Sequence, residues 1–205
     1  MSTPATAADD LRSADRPRRA RAAALSPEDR RAAIVEAVVP LLIREGPAVS
    51  TRQIADAAGI AEGTIFRVFA DKQAVIDAVV ETVLDPARAL EALAAVPAEG
   101  PLEARLAAAV EAIQRRVDVV WRLMTAVDMT KPLAQRRRDR GANAPEIRAL
   151  AEIIAPDADR LRVDPMEAAQ MLRSLTFACT HPALVDSPAS PTDVVALLLD
   201  GIRTR

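Results

Sequence analysis

Large or branched apolar side chains stand at positions 102, 106, 110, 113, 117, 120, 124 and 127, in steps of three and four throughout. That spacing lines one side of a helix of 3.6 residues per turn and would scatter over both faces of a strand. Bounded in front by Gly100-Pro101, it predicts one long helix over 102–129 with a continuous buried stripe, which other helices must cover. Composition points the same way. Half of the 205 residues are hydrophobic, whereas only 2% are aromatic, with no Tyr, three Phe and one Trp. Ala and Leu favour helix, and little remains to build an aromatic-rich sheet. The fold class expected is all-α, with no strand and no internal repeat.

The length suits one domain, or a small one joined to a larger one. A single cysteine, Cys179, excludes an intrachain disulfide and argues for a reducing cytoplasm; a single histidine, His181, leaves no multi-ligand zinc site. No metal and no cofactor are expected. No apolar run approaches the roughly 20 residues that span a bilayer, and Asp9 and Asp10 stand where a signal peptide would have its core, so a soluble cytoplasmic protein without a membrane partner is expected. The first residues, 1–25, carry Leu11 as their one large branched apolar side chain before Leu25 and are expected to be a disordered arm. Its Arg12, Arg16, Arg18, Arg19 and Arg21 either reach phosphates or form a solvated tail.

Helix starts are legible. Ser26-Pro27-Glu28-Asp29 combines an N-cap, a proline at the first helical position and two carboxylates in the first turn; Ile34, Val38, Leu41 and Leu42 follow, and Gly46-Pro47 ends the helix. A short helix capped by Ser50 or Thr51 runs through Ile54, Ala55 and Ala58 to Gly59. Another spans 61–69. Asp71 caps a third, bearing Val75, Ile76, Val79, Val80, Val83 and Leu84, which Asp85-Pro86 should kink or end. Beyond the long helix, 131–145 reads as an Arg-rich loop containing Arg136, Arg137, Arg138 and Arg140. A helix over 145–154, a linker over 156–162, a helix capped by Asp164 with Pro165 at its first position, and a last helix from about Pro191-Thr192 complete the chain.

The informative stretch is 50–72, S-T-R-Q-I-A-D-A-A-G-I-A-E-G-T-I-F-R-V-F-A-D-K. Two short helices about a tight turn at Gly59 form a helix-turn-helix, whose second helix can enter a major groove. Ala55 and Ala58 are small where the helices approach, Gly59 supplies positive φ, and Ile54, Ile60, Ile65 and Phe69 fix the crossing. Thr51, Arg52, Glu62, Thr64, Arg67 and Lys72 remain outward. Over 51–72 the cations Arg52, Arg67 and Lys72 face Asp56, Glu62 and Asp71. Such a motif is no basic patch, so a site-specific binder is expected rather than a generic nucleic-acid coat.

The run I54-A55-x-x-A58-G59-I60-x-x-G63-T64-I65-F66-x-x-F69-x-x-K72 resembles the DNA-binding signature of the TetR (tetracycline-repressor-like) family, most specifically over 26–84. The resemblance implies an N-terminal three-helix DNA-binding domain over 26–86 and a larger helical effector-binding and dimerisation domain over 87–205. It places Thr51 and Arg52 at the start of the first motif helix, Gly63, Thr64 and Arg67 on the recognition helix, and Lys72 against phosphate; Ser50, Glu62 and Phe66 complete the candidate DNA-binding set. Family members often carry Ser, Tyr, and His or Tyr at the positions of Ala61, Phe66 and Val68, so binding here leans on Arg52, Arg67, Lys72 and the arm. Arg67 either reads guanine bidentately or touches phosphate.

One motif buries too little DNA for tight binding, so a homodimer on palindromic double-stranded operator DNA is expected, its recognition helices about 34 to 36 Å apart. Leu172, Leu197, Leu198 and Ile202 on the last two helices are the candidate interface, because Leu197, Leu198 and Leu199 in succession cannot all enter one core. The resemblance implies an effector pocket for an unidentified small molecule, walled by Val117, Val120, Trp121, Met124 and Asp128 on the long helix and by Met171, Leu175 and Phe177 opposite; ordinary core packing is the alternative. Cys179 and His181 read as packing or capping residues. The expected function is a ligand-released repressor, with the helix over 71–84 as the lever between halves. Alternatives are a DNA-bound regulator without effector and a cofactor-free helical enzyme. The latter would need a nucleophile–base set that one His and one Cys do not supply.

Overall fold

The computed structural model describes residues 26–128 and 144–204. The arm over 1–25 and most of the Arg-rich loop over 131–145, with Arg136, Arg137, Arg138 and Arg140, lie outside them. Helices begin where the capping chemistry says. The Ser26 hydroxyl accepts the Asp29 amide at 3.0 Å and starts α1, Pro27–Glu45. Ser50 and Gln53 exchange a capping box at the start of α2, Thr51–Ala58: Ser50 Oγ accepts the Gln53 amide at 3.2 Å, and Gln53 Oε1 accepts the Ser50 amide at 2.8 Å. Gly59, at φ +64°, turns the chain into α3, Glu62–Val68. Asp71 accepts the Ala74 amide at 2.8 Å and starts α4, Lys72–Leu84.

Asp85-Pro86 does more than end α4. Asp85 is itself a cap, accepting the Ala87 amide at 2.9 Å, and a separate helix α5 follows, Pro86–Ala94. The long helix α6 spans Leu102–Ala126. Then come α7, Ala144–Ile154, a 3-10 turn over Ala155–Arg160, α8, Pro165–Ala178, capped by Asp164, and α9, Pro191–Ile202, capped by Ser190. Among the described residues the only extended pairing is a single bridge between Leu161 and Arg203.

Two apolar cores result, and α6 belongs to both. Ile34, Leu42, Ile54, Ile65, Val75 and Val79 close the first around α1 to α4, but Leu123 and Met124 from the end of α6 are fully buried in it too. The first core is therefore not completed within 26–86. Leu102, Leu106, Val110 and Ile113 from the start of α6 enter the second core with Leu150, Leu172, Val195 and Leu198. The change of partner along the helix explains a departure from the sequence pattern. Leu123 lies outside the three-four stripe and is buried, while Val117 and Val120 in the stripe are half-buried, because different faces of α6 are covered at its two ends.

A buried charge holds the second core at its edge. The Arg105 guanidinium, 6% exposed, donates to an Asp157 carboxylate oxygen at 2.6 Å and to the Ile153 carbonyl at 3.0 Å, while Arg160 donates to the other Asp157 oxygen at 2.6 Å.

Candidate nucleic-acid interface

The crossing of α2 and α3 rests on side chains that are all but sealed: Ile54, Ala55, Ile65 and Phe69. Gly59 and Ile60 donate back to the Asp56 and Ala55 carbonyls at 3.2 and 3.0 Å, so the turn is tied to the helix it leaves. A second tie joins the two helix starts, where the Thr51 hydroxyl donates to the Glu62 carboxylate. Both residues belong to the expected DNA-facing set, and both are also structural. Arg31 of α1 lies over the Phe69 ring, its guanidinium carbon 4.4 Å from the centroid, a cation–π contact that no spacing rule signals.

With those contacts made, the outward face of the motif is small and defined. Arg52, Glu62, Gly63, Phe66 and Arg67 are exposed, and Thr51, Thr64 and Lys72 are half-buried. Phe66 is 52% exposed and is the largest apolar side chain on this face. A side chain at Gly63 would meet nothing within 4 Å, so packing does not demand glycine there, whereas an approaching backbone would. Two expected contacts are partly committed within the protein. The Ser50 hydroxyl serves the capping box, and the Lys72 ammonium donates to the Pro47 carbonyl at 2.9 Å, bracing the start of α4 against the end of α1.

Residues 34–79, which span this motif and the helices on either side of it, match the model of the bacterial regulatory proteins of the tetR family. Over those residues the chain is similar to that family. The fold agrees beyond the motif. A TetR-family regulator structure from Mesorhizobium loti, 18% identical, superposes with a TM-score of 0.57 over 88% of this chain and 100% of that one. A TetR regulator from Streptomyces coelicolor, 21% identical, gives 0.55 over 84% and 98%. One from Vibrio parahaemolyticus, 18% identical, gives 0.54 over 86% and 100%. This chain shares the fold of these regulators and, over 34–79, the match to the tetR family model. No helix among its described residues is long and apolar enough to cross a membrane.

Its larger half corrects two groups of expected residues. Of the candidate effector residues, Met124 is sealed in the first core, and Leu175 packs against the second. Trp121 and Phe177 flank His181, ring centroids 4.4 and 4.6 Å away, as an aromatic cluster between α6 and the end of α8. His181 also accepts the Ala183 amide through Nδ1 at 3.2 Å, a capping role. Met171 and Asp128 are exposed, the latter at φ +53° where α6 ends. Among the described residues these side chains are thus split between the first core, the second core, the aromatic cluster and solvent.

A groove lies between the end of α4, α5, α6 and the start of α7, with a volume of about 220 Å³. Val120 alone of the expected set lines it, with Val83, Ala89, Leu93, Val119 and Arg116 among its other walls. Its α5 wall, with Ala89 and Ala92, was not read from the sequence, because Asp85-Pro86 reads equally as a kink.

Of the candidate dimer residues, Leu172, Leu198 and Ile202 are buried in the protomer's own second core. Leu197 is 61% exposed. Steps of 100° round α9 turn Leu198 and Leu199 towards α6 and α8, and leave Leu197 outside.

Proposed function

We propose that this protein is a homodimeric repressor that binds a palindromic operator and is released from it by a small molecule held in the larger half. The outward face of α3 carries this reading: Gly63, Phe66 and Arg67 stand exposed above the sealed Ile65. With Thr64, they form the base-reading edge, while Thr51, Arg52 and Lys72 approach phosphates. Glu62, tied to Thr51, sets the angle between the helices. Seven residues of helix extend roughly 10 Å, the rise of about three base pairs, which is too short a reading frame for one copy to specify a site. Two copies on a two-fold axis double it. Leu197 and Met171, outward on adjacent helices α9 and α8, supply apolar surface for the partner.

The test is a mobility shift on the DNA immediately upstream of the protein's own coding region, over a series of salt concentrations, with light scattering on the same sample. Expected are a dimer, sequence-specific retardation and affinity that falls with salt. A monomer at micromolar concentration, or equal retardation of unrelated DNA, sinks the proposal.

A further inference from the structure

The cations over 26–84 divide by what already holds them. The Arg44 guanidinium donates to Glu45 at 2.8 Å, and the Lys72 ammonium to the Pro47 carbonyl at 2.9 Å. Arg31, Arg52 and Arg67 make no hydrogen bond or ion pair among the described residues. Arg52 and Arg67 stand on the motif helices themselves, whereas Arg31 reaches the motif from α1. It is fixed there by the Phe69 ring, 4.4 Å from its guanidinium carbon. Phe69 is 3% exposed and closes α3, its amide donating to the Ile65 carbonyl at 2.8 Å. A guanidinium above a ring spends no donor on it, so the N–H groups of Arg31 keep their capacity while the contact restricts the side chain. Covering the ring alone would need only methylenes.

Position decides what this fork can meet. A helix with its side chains is about 10 to 12 Å across and a B-DNA major groove about 12 Å wide, so α3 seated in the groove fills it. An element standing beside the end of α3 then meets the sugar–phosphate wall and not the base edges. We propose that Arg31 is a phosphate anchor: its guanidinium, held over Phe69, donates to a backbone phosphate beside the end of α3 and carries no base preference. This rests on the DNA-binding part of the reading above and needs neither an effector nor a palindrome.

Fluorescence anisotropy of the full-length protein on its upstream DNA and on an unrelated duplex, over a series of salt concentrations, tests the anchor. Each phosphate neutralised adds about 0.9 to the slope of log affinity against log salt, so Arg31→Gln should flatten the slope by about 0.9 per bound protomer and weaken binding about eightfold per protomer at about 0.1 M salt, equally on both DNAs. Arg31→Met, which still covers the ring, should flatten it as much, and Arg31→Lys, which keeps the charge, should retain most of it. Arg122→Gln removes the same charge from α6, where it pairs with Asp118 at 2.8 Å, and should leave the slope unchanged. Circular dichroism establishes that each variant is folded. A slope unchanged in both Arg31→Gln and Arg31→Met assigns Arg31 to ring packing and overturns the proposal. So does equal flattening by Arg122→Gln, since net charge then suffices, or a loss confined to the upstream DNA, since Arg31 then reads bases. If the wild type binds both DNAs alike, the repressor reading falls while the slopes still decide Arg31; if it binds neither, both fall.

Discussion

Gly46, at the end of α1, faces the backbone carbonyl of Ala126, at the end of α6, so closely that a Cβ on Gly46 would stand 2.9 Å from that oxygen. The contact joins the DNA-reading domain to the helix that also lines the groove, backbone against backbone. Gly46 is also at φ +62°, so two requirements select glycine there.

Gly46→Ala should therefore cost more than Gly59→Ala. Gly59 shares the positive φ, but an added Cβ there meets nothing within 4 Å. The conformational penalty alone is about 1 kcal/mol at Gly59, and the clash should raise the loss at Gly46 to about 2 to 4 kcal/mol. Thermal or urea melts of the two variants measure the difference; equal losses would mean that the α1–α6 joint yields freely.

Arg67→Ala should relax sequence discrimination by about 1 to 3 kcal/mol at one operator position if the guanidinium reads a base. Binding to a set of operator variants decides this, since a loss uniform across all of them assigns Arg67 to phosphate. Lys72→Ala should reduce protein stability as well as DNA affinity, because its ammonium also holds the Pro47 carbonyl.

Leu197 and Leu198 are adjacent in sequence and opposite in exposure. On the proposed dimer, Leu197→Glu should yield monomers with little change in the protomer's helix content, as read by light scattering and circular dichroism. Leu198→Ala should destabilise the protomer by about 2 to 5 kcal/mol, since it opens a cavity in the second core.

The hydrogen bond from Arg160, with that from Arg105 behind it and burial opposing both, holds the Asp157 carboxyl below the ordinary aspartate range. A carboxyl whose folded pKa is depressed stabilises the fold above its unfolded pKa of about 3.9, and that contribution fades as pH falls through the folded value. Asp157→Asn should accordingly lower stability near neutral pH by roughly 3 kcal/mol, leaving Arg105 buried without its carboxylate. The gap from wild type should narrow below about pH 4. Coincident melts would show the pair to be without net effect, and a gap that stays constant to low pH would show that the ionised carboxylate is not its source.

Much of this arrangement is legible from short-range chemistry. Ser26, Ser50, Asp71 and Asp164 cap helices through amides two or three residues away, and Gly59 turns the chain by its own φ, so the helix starts and the helix-turn-helix follow from neighbours in sequence. The cap at Asp85 escaped because proline after it reads equally as a kink.

What the sequence by itself determined is the all-helical class, the position of most helices and the identity of the DNA-reading motif, because each depends on contacts within one or two turns. Which face of each helix is covered depended on elements remote along the chain. Only the tertiary structure turned Leu198 and Ile202 inward and Leu197 outward, sealed Met124 in the first core, opened a groove beside Arg116, and set Gly46 against Ala126. Helical periodicity makes an apolar side chain a candidate for burial, but its burial is completed by whichever neighbour the rest of the fold brings against it.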